Sequence, residues 1–132
     1  MGIFWDKFFK TIQPELSLTV SEWSDKYRYL SQKSSAEAGK YRTDRTPYLR
    51  QIMDDLSASS SIEHVVCMKA TQVGATEAGN NWVGYIADHS PGPSMVVLPR
   101  LEDCKTNSKI RFDPLFEETP RLAGKLKDKR SR

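Results

Sequence analysis

The residues best suited to chemistry in this chain lie between 65 and 77, which read Val65-Val66-Cys67-Met68-Lys69-Ala70-Thr71-Gln72-Val73-Gly74-Ala75-Thr76-Glu77. An apolar run gives way to a short polar loop, and the loop leads into a segment of helical character. This is the layout of a phosphate-binding P-loop with one change. The usual pattern is G-x-x-x-x-G-K-[ST], in which backbone amides cradle phosphates, a lysine reaches them and a hydroxyl meets magnesium. Here Gly74 and Thr76 take the second glycine and the hydroxyl, Lys69 stands where the first glycine belongs, and Ala75 stands where the lysine belongs. The cation has moved from the end of the loop to its start. Lysine is a point charge on a long stem, so it can approach the same oxygens from the other side. Helix amides and curled loop amides supply the remaining anion-binding groups. On these residues alone, an ordinary strand-to-helix turn carrying a surface lysine is an equal alternative.

The flanking segments must position such a loop. Residues 76 to 88 suit a helix with Trp82, Val83, Tyr85 and Ile86 on its apolar side, although Gly79 and Gly84 weaken it by about 1 kcal/mol each relative to alanine. Ser90-Pro91-Gly92-Pro93 breaks the chain. Met95-Val96-Val97-Leu98 then reads as a second apolar strand stopped by Pro99. Strand, loop, helix, turn and strand make a β-α-β unit, whose parallel strands carry continuous apolar runs because both faces are buried. Upstream, Thr46-Pro47 is a helix start with threonine as the expected cap. Tyr48, Leu49, Ile52, Met53 and Leu56 follow at helical spacing. Ser57 to Ser61 reads as a linker into the first strand. Tyr48 is either a half-buried core residue or an aromatic placed to stack on a nucleotide base.

Several segments, in order, resemble the large terminase subunits of lambda-like tailed phages. They are Glu22-Trp23-Ser24-Asp25-Lys26-Tyr27-Arg28, Tyr41-Arg42-Thr43-Asp44-Arg45-Thr46-Pro47-Tyr48, Ile52-Met53-Asp54, the Lys69 to Glu77 loop, and Pro99 to Pro120. The displaced lysine is the most specific of these features, and the resemblance runs from about residue 20 to the end. It implies an α/β fold of the P-loop NTPase type, a parallel sheet flanked by helices, here truncated after the second core strand. It also implies ATP and Mg2+ as cofactors and packaging of viral double-stranded DNA into a prohead as the function. Carried to this chain, Lys69 would contact the β and γ phosphates. The loop from Ala70, Thr71, Gln72 and Val73 through Gly74 and Ala75 to Glu77 would surround them, Thr76 would hold magnesium, and Tyr48 would stack near the adenine. The implied partners are double-stranded DNA, the terminase small subunit, the portal and prohead, and other copies of the large subunit in a ring. The setting would be the cytoplasm of an infected or lysogenic bacterial host.

The departures are informative too. No apolar strand ending in paired acids follows Leu98, and neither does the acidic cluster of the endonuclease half that such terminases carry. At 132 residues the chain therefore reads as an N-terminal piece of a longer subunit, or as a prophage remnant. Residues 1–20 would form an aromatic docking segment and residues 21–132 the first portion of the ATPase domain. Two strands with open edges invite association. Another P-loop enzyme such as a helicase, or a remnant without catalysis, is the alternative.

Composition is that of an ordinary globular protein, with 38% hydrophobic and 28% charged residues. It fits an intracellular soluble protein. No apolar run is long enough for a membrane span. Asp6, Lys7 and Lys10 interrupt the apolar start, and Asp6 stands where a myristoylation motif needs a hydroxyl. Cys67 and Cys104 share no metal or redox spacing, and Cys67 reads as a small buried hydrophobe. His64 and His89 stand apart. Ile3, Phe4, Trp5, Phe8, Phe9 and Ile12 line one helical face that packs on the domain, binds a partner or lies on a membrane. In related terminases this end docks the small subunit, so partner binding is preferred. The net charge is +3, with basic clusters at Lys40, Arg42, Arg45 and Arg50 and from Lys125 to Arg132. Such clusters are either solvated faces or contacts to DNA phosphate. In the segment from Leu101 to Arg111, Ser108 and Arg111 are the polar residues of interest, and Arg111 is a candidate finger for a neighbour's transferring phosphate.

Overall fold

The structure, a computed structural model, describes residues 2–12, 17–32, 35 and 37–126. Helix α1 spans Gly2–Ile12 and α2 spans Val20–Tyr27. A two-stranded antiparallel hairpin follows, β1 at Tyr29–Leu30 and β2 at Gly39–Lys40, with Tyr29 opposite Lys40 and Leu30 opposite Gly39. Two 3-10 turns, Thr43–Arg45 and Pro47–Leu49, lead into α3 at Arg50–Asp55. The long helix α4 runs Ala75–Asp88. Then α5 at Leu101–Asn107, a π-turn at Ser108–Phe112 and α6 at Asp113–Glu118 form one helical stretch. No helix among the described residues is long and apolar enough to cross a membrane.

Helix α2 starts where the sequence supplies a reciprocal cap. The Thr19 hydroxyl accepts from the Glu22 amide at 3.3 Å, and the Glu22 carboxylate accepts from the Thr19 amide at 2.9 Å. Thr46 plays no such part: its side chain makes no cap hydrogen bond, and Pro47 opens a 3-10 turn instead of the α-helix expected there.

The core gathers Val20 and Trp23 of α2, Tyr41, Leu49, Met53 of α3, Ala78 and Tyr85 of α4, Leu115 of α6 and Leu122. It joins α2, α3, α4 and α6 directly. Gly84 explains how α2 and α4 come so close. A Cβ there would stand 2.7 Å from Cη2 and 3.0 Å from Cζ3 of Trp23. The glycine that weakens the helix on propensity is the one that admits the indole. The ring is then fixed at its polar end, where Nε1 donates to Asp88 at 2.9 Å. Arg121 and Lys125 hold the same carboxylate at 2.9 and 2.8 Å.

The expected parallel sheet is not formed. Among the described residues the sole sheet is the antiparallel hairpin, and neither residues 62–68 nor 94–98 carry a ladder. Their side chains stand open: Val66 is 95% exposed and Met68 101%, and Met95 and Val97 are exposed as well. A helix closes its backbone hydrogen bonds internally, whereas a strand needs neighbours for both edges. With no ladder partner among the described residues, these segments carry no regular secondary structure. For the same reason Cys67 is exposed, not the buried hydrophobe expected from its place in an apolar run.

Candidate functional site

The loop between residue 68 and α4 is shaped from its C-terminal end. Gly74 is left-handed, with φ 79°, and so is Gln72, with φ 56°. A non-glycine residue in that region is uncommon. Two such residues two positions apart curl the backbone, and left-handed turns of this kind are what build anion nests. The Gly74 carbonyl accepts from the amides of Glu77 and Ala78 at 2.9 and 3.1 Å and so begins α4. The amides of Ala75 and Thr76 precede those bonds and are the donors that every helix N-terminus leaves for a ligand.

The loop is braced by the segment that the sequence places just before it. Leu49 Cδ1 and Thr46 Cγ2 lie 3.2 and 3.7 Å from where a Gly74 Cβ would be, so both backbone angle and space require glycine. The Tyr48 hydroxyl donates to the Val73 carbonyl at 2.9 Å, while its ring is 59% exposed. Tyr48 is therefore no core residue; it stands against the loop. Ala70, Thr71, Gln72 and Thr76 are exposed, with Val73, Gly74 and Ala75 partly covered. Lys69 is exposed and makes no ion pair or hydrogen bond among the described residues. The site thus offers curled amides, a helix terminus, a hydroxyl at Thr76 and an uncommitted cation at Lys69. A polyphosphate and its magnesium fit that donor set.

Beside Gly74 lies a cavity of about 390 Å³, lined in part by Tyr41, Arg42, Arg45, Thr46, Gly74 and Glu77. The Tyr41 hydroxyl is buried and has no hydrogen-bond partner among the described residues. Burial raises its pKa above the ordinary phenol value. The Thr46 and Asn81 side chains stand near enough to oppose that shift, but neither meets the hydroxyl at hydrogen-bond geometry. An unsatisfied buried hydroxyl at a cavity wall is a costly group, which a ligand can satisfy.

Glu77 and Arg111 meet each other. Arg111, carried by the π-turn, places Nη1 2.6 Å from Glu77 Oε1 within the same chain. The other carboxylate oxygen faces Arg28 Nη2 at 3.4 Å. Arg28 is 2% exposed, its Nε donates to Asn81 Oδ1 at 3.3 Å, and its Nη1 donates to the Tyr29 carbonyl. Burial lowers the Arg28 pKa, and the Glu77 charge is the main opposing influence. Nothing in the sequence pointed to Arg28 or Tyr41 as site residues. Their contacts join positions dozens of residues apart, and no local spacing carries that information.

Two of the segments singled out in the sequence, 22–28 and 41–48, are also brought together. Asp25 Oδ1 accepts from the Thr43 amide at 2.6 Å and from its hydroxyl at 2.9 Å. The arginines around them are paired at the surface: Arg50 and Arg42 with Asp44 at 3.4 and 3.9 Å, and Arg45 with Glu37. Ser108 is exposed. His64 is exposed, while His89 Nε2 accepts from the Leu18 amide at 3.2 Å. The second basic cluster, beyond Lys125, lies outside the described residues.

A curled loop opening a helix, braced by the aromatic and 3-10 residues before it, is an arrangement that can receive an anionic ligand. A model of the phage terminase large subunit gpA family, ATPase domain, matches residues 35–132, and the chain belongs to that family. It is an ATP-binding segment of the motor that packages phage DNA. No curated protein and no solved structure matches it.

Proposed function

We infer that the loop from Lys69 to Thr76 is the phosphate site of this ATPase segment. The observation that carries this is the backbone curl at Gln72 and Gly74 opening onto the N-terminus of α4. Lys69 would neutralise the β and γ phosphates from the start of the loop. The amides from Gln72 to Thr76 would hold them, and the Thr76 hydroxyl would ligate Mg2+. The nucleoside end would extend toward the neighbouring cavity, where the Tyr41 hydroxyl awaits a partner and Arg42 and Arg45 line the wall. Tyr48 would act there by holding Val73 in place, with its exposed ring available to a base. Magnesium, when bound, supplies charge neutralisation at the transferring phosphoryl group.

In the intact subunit this segment would serve ATP hydrolysis and the DNA movement it drives, in a ring of copies docked on the portal and prohead, with the endonuclease elsewhere in the subunit. The aromatic face of α1 supports a docking role toward the small subunit. Phe4, Trp5, Phe8 and Phe9 are exposed there, with neighbouring ring centroids 5.6 to 6.1 Å apart. Arg111, bonded to Glu77, would act on the nucleotide of its own chain before any neighbour's.

The test is direct. Binding of a fluorescent ATP analogue should be saturable and magnesium-dependent. Lys69→Ala should weaken it by at least about tenfold, the scale of one charge-assisted contact. Unchanged affinity in that variant removes the assignment of the loop.

A further inference from the structure

We propose that Glu77 is a positioning residue for the phosphate loop, its carboxylate shared between Arg28 and Arg111 so that the first turn of α4 is held from two sides. The proposal rests on the loop reading above for its functional meaning and on geometry for its physical content. Glu77 follows Thr76 directly, in the first turn of α4. Its Oε2 faces Arg28 at 3.4 Å and its Oε1 faces Arg111 at 2.6 Å. Asn80, one turn on, donates to Oε1 at 3.3 Å. All three contacts tie the carboxylate to neighbouring side chains of the protein.

Arg28 is the fixed end. Its guanidinium is buried and further held by Asn81 Oδ1 and the Tyr29 carbonyl, so it anchors Glu77 to the residue that begins the hairpin. Removing one partner of such a buried pair leaves an uncompensated charge, which costs far more than an exposed pair contributes. Arg111 is the adjustable end. It is partly exposed and sits in a π-turn, a departure from α-helical geometry that re-aims the side chains around it. Arg28 also lies outside residues 35–132, so the loop helix is held by a segment beyond the part matched to the ATPase family.

Amide hydrogen exchange without nucleotide judges the clamp by itself. Glu77→Gln should speed exchange of the Ala78 to Asn81 amides by at least about tenfold while leaving α2 amides unchanged, the pattern of local opening. Arg28→Lys, which keeps the charge but loses the fork, should give a smaller effect in the same place. If Glu77→Gln does not fold, Arg111→Gln, which spares the buried pair, should loosen the same turn more weakly. The functional arm is binding of the fluorescent ATP analogue. Affinity with magnesium should fall by at least about tenfold in Glu77→Gln and change little in EDTA, because the displaced group is the Thr76 hydroxyl. Unchanged exchange at α4, or equal acceleration in every helix, overturns the proposal. An equal loss with and without magnesium also overturns it. A wild-type chain that binds no nucleotide refutes the loop reading, and the exchange result still decides the clamp.

Discussion

Two glycines in one helix should respond to alanine with opposite signs. Helix propensity alone makes both Gly79→Ala and Gly84→Ala stabilising by about 1 kcal/mol. At Gly79 nothing lies within 4 Å of the new Cβ, so that gain should be realised. At Gly84 the new atom would sit 2.7 and 3.0 Å from two ring carbons of Trp23 and 3.4 Å from Leu122 Cδ1, well inside the roughly 3.5–4.0 Å optimum for carbon pairs. Trp23 is fully buried, and its indole nitrogen is bonded to Asp88 at 2.9 Å, so the ring cannot slide away. Instead α2 and α4 must move apart. Overpacking of this kind costs about 1–3 kcal/mol, and two close contacts on an immobile ring with a third on Leu122 place it at the upper end. The net is about 2 kcal/mol of destabilisation, or a Tm lowered by roughly 6–8 °C for a chain of this size. Thermal melts of the two variants, followed by near-ultraviolet circular dichroism of the tryptophan, provide the measurement. A Gly84→Ala protein as stable as wild type, or shifts of the same sign at both positions, would refute the account of how α2 meets α4.

Further expectations follow from the buried polar groups. Burial alone would raise the Asp88 pKa, but the Lys125, Trp23 and Arg121 donors and the Arg121 charge outweigh it, so the pKa lies below its ordinary value. A depressed folded pKa gives stability that is present above the unfolded value of about 3.9 and lost as pH falls through the folded one. The Tm gap between wild type and Asp88→Asn should therefore be constant above about pH 5 and shrink on acidification; a gap independent of pH contradicts this. Tyr41→Phe deletes the orphaned hydroxyl at constant shape. It should raise stability by about 1 kcal/mol while weakening nucleotide binding, and a stability loss on chemical denaturation would count against an unsatisfied group. Removal of residues 1 to 14 should abolish binding of the small subunit and leave nucleotide binding intact, as judged by pull-down and analogue titration. Loss of both would make that segment part of the core.

The helical half of this fold was legible from local pattern. Helix α4 was expected at 76–88 and spans Ala75–Asp88, because apolar spacing and a preceding glycine are local signals. The turn at Gly74 into α4 was legible for the same reason, and the phosphate chemistry proposed for Lys69 and Thr76 rests on that local pattern. The cap at Thr19 and Glu22 carried its own signature, T-x-x-E, although only the structure drew attention to it. The apolar runs at 65–68 and 95–98 read as strands, but pairing is a property of neighbours, and no ladder forms between them. Trp23 was recognisable as part of a shared segment, yet its role required Gly84, sixty-one positions away, to come into view. The Arg28, Glu77 and Arg111 group is the extreme case, being built wholly from long-range contacts.

That division bears on how the loop proposed to bind phosphate keeps its shape. In a doubly wound domain the strand before such a loop is held by a sheet, and the loop is expected to inherit its position from that strand. Here the preceding segment carries no ladder, yet the loop is curled, with Gln72 and Gly74 left-handed. What fixes it lies on the other side. Leu49 and Thr46 press on Gly74, Tyr48 holds the Val73 carbonyl, and Gly74 accepts the first bonds of α4. Below that turn, Glu77 is tied to Arg28 and Arg111, and Trp23 sits against Gly84. Each of these contacts comes from a helix, a 3-10 turn or the segment next to the hairpin, and none from either apolar run. The C-terminal half of the loop, with its amides and hydroxyl, is therefore set by helical packing. Among the described residues, no comparable contact holds the half that bears Lys69, whose side chain is exposed.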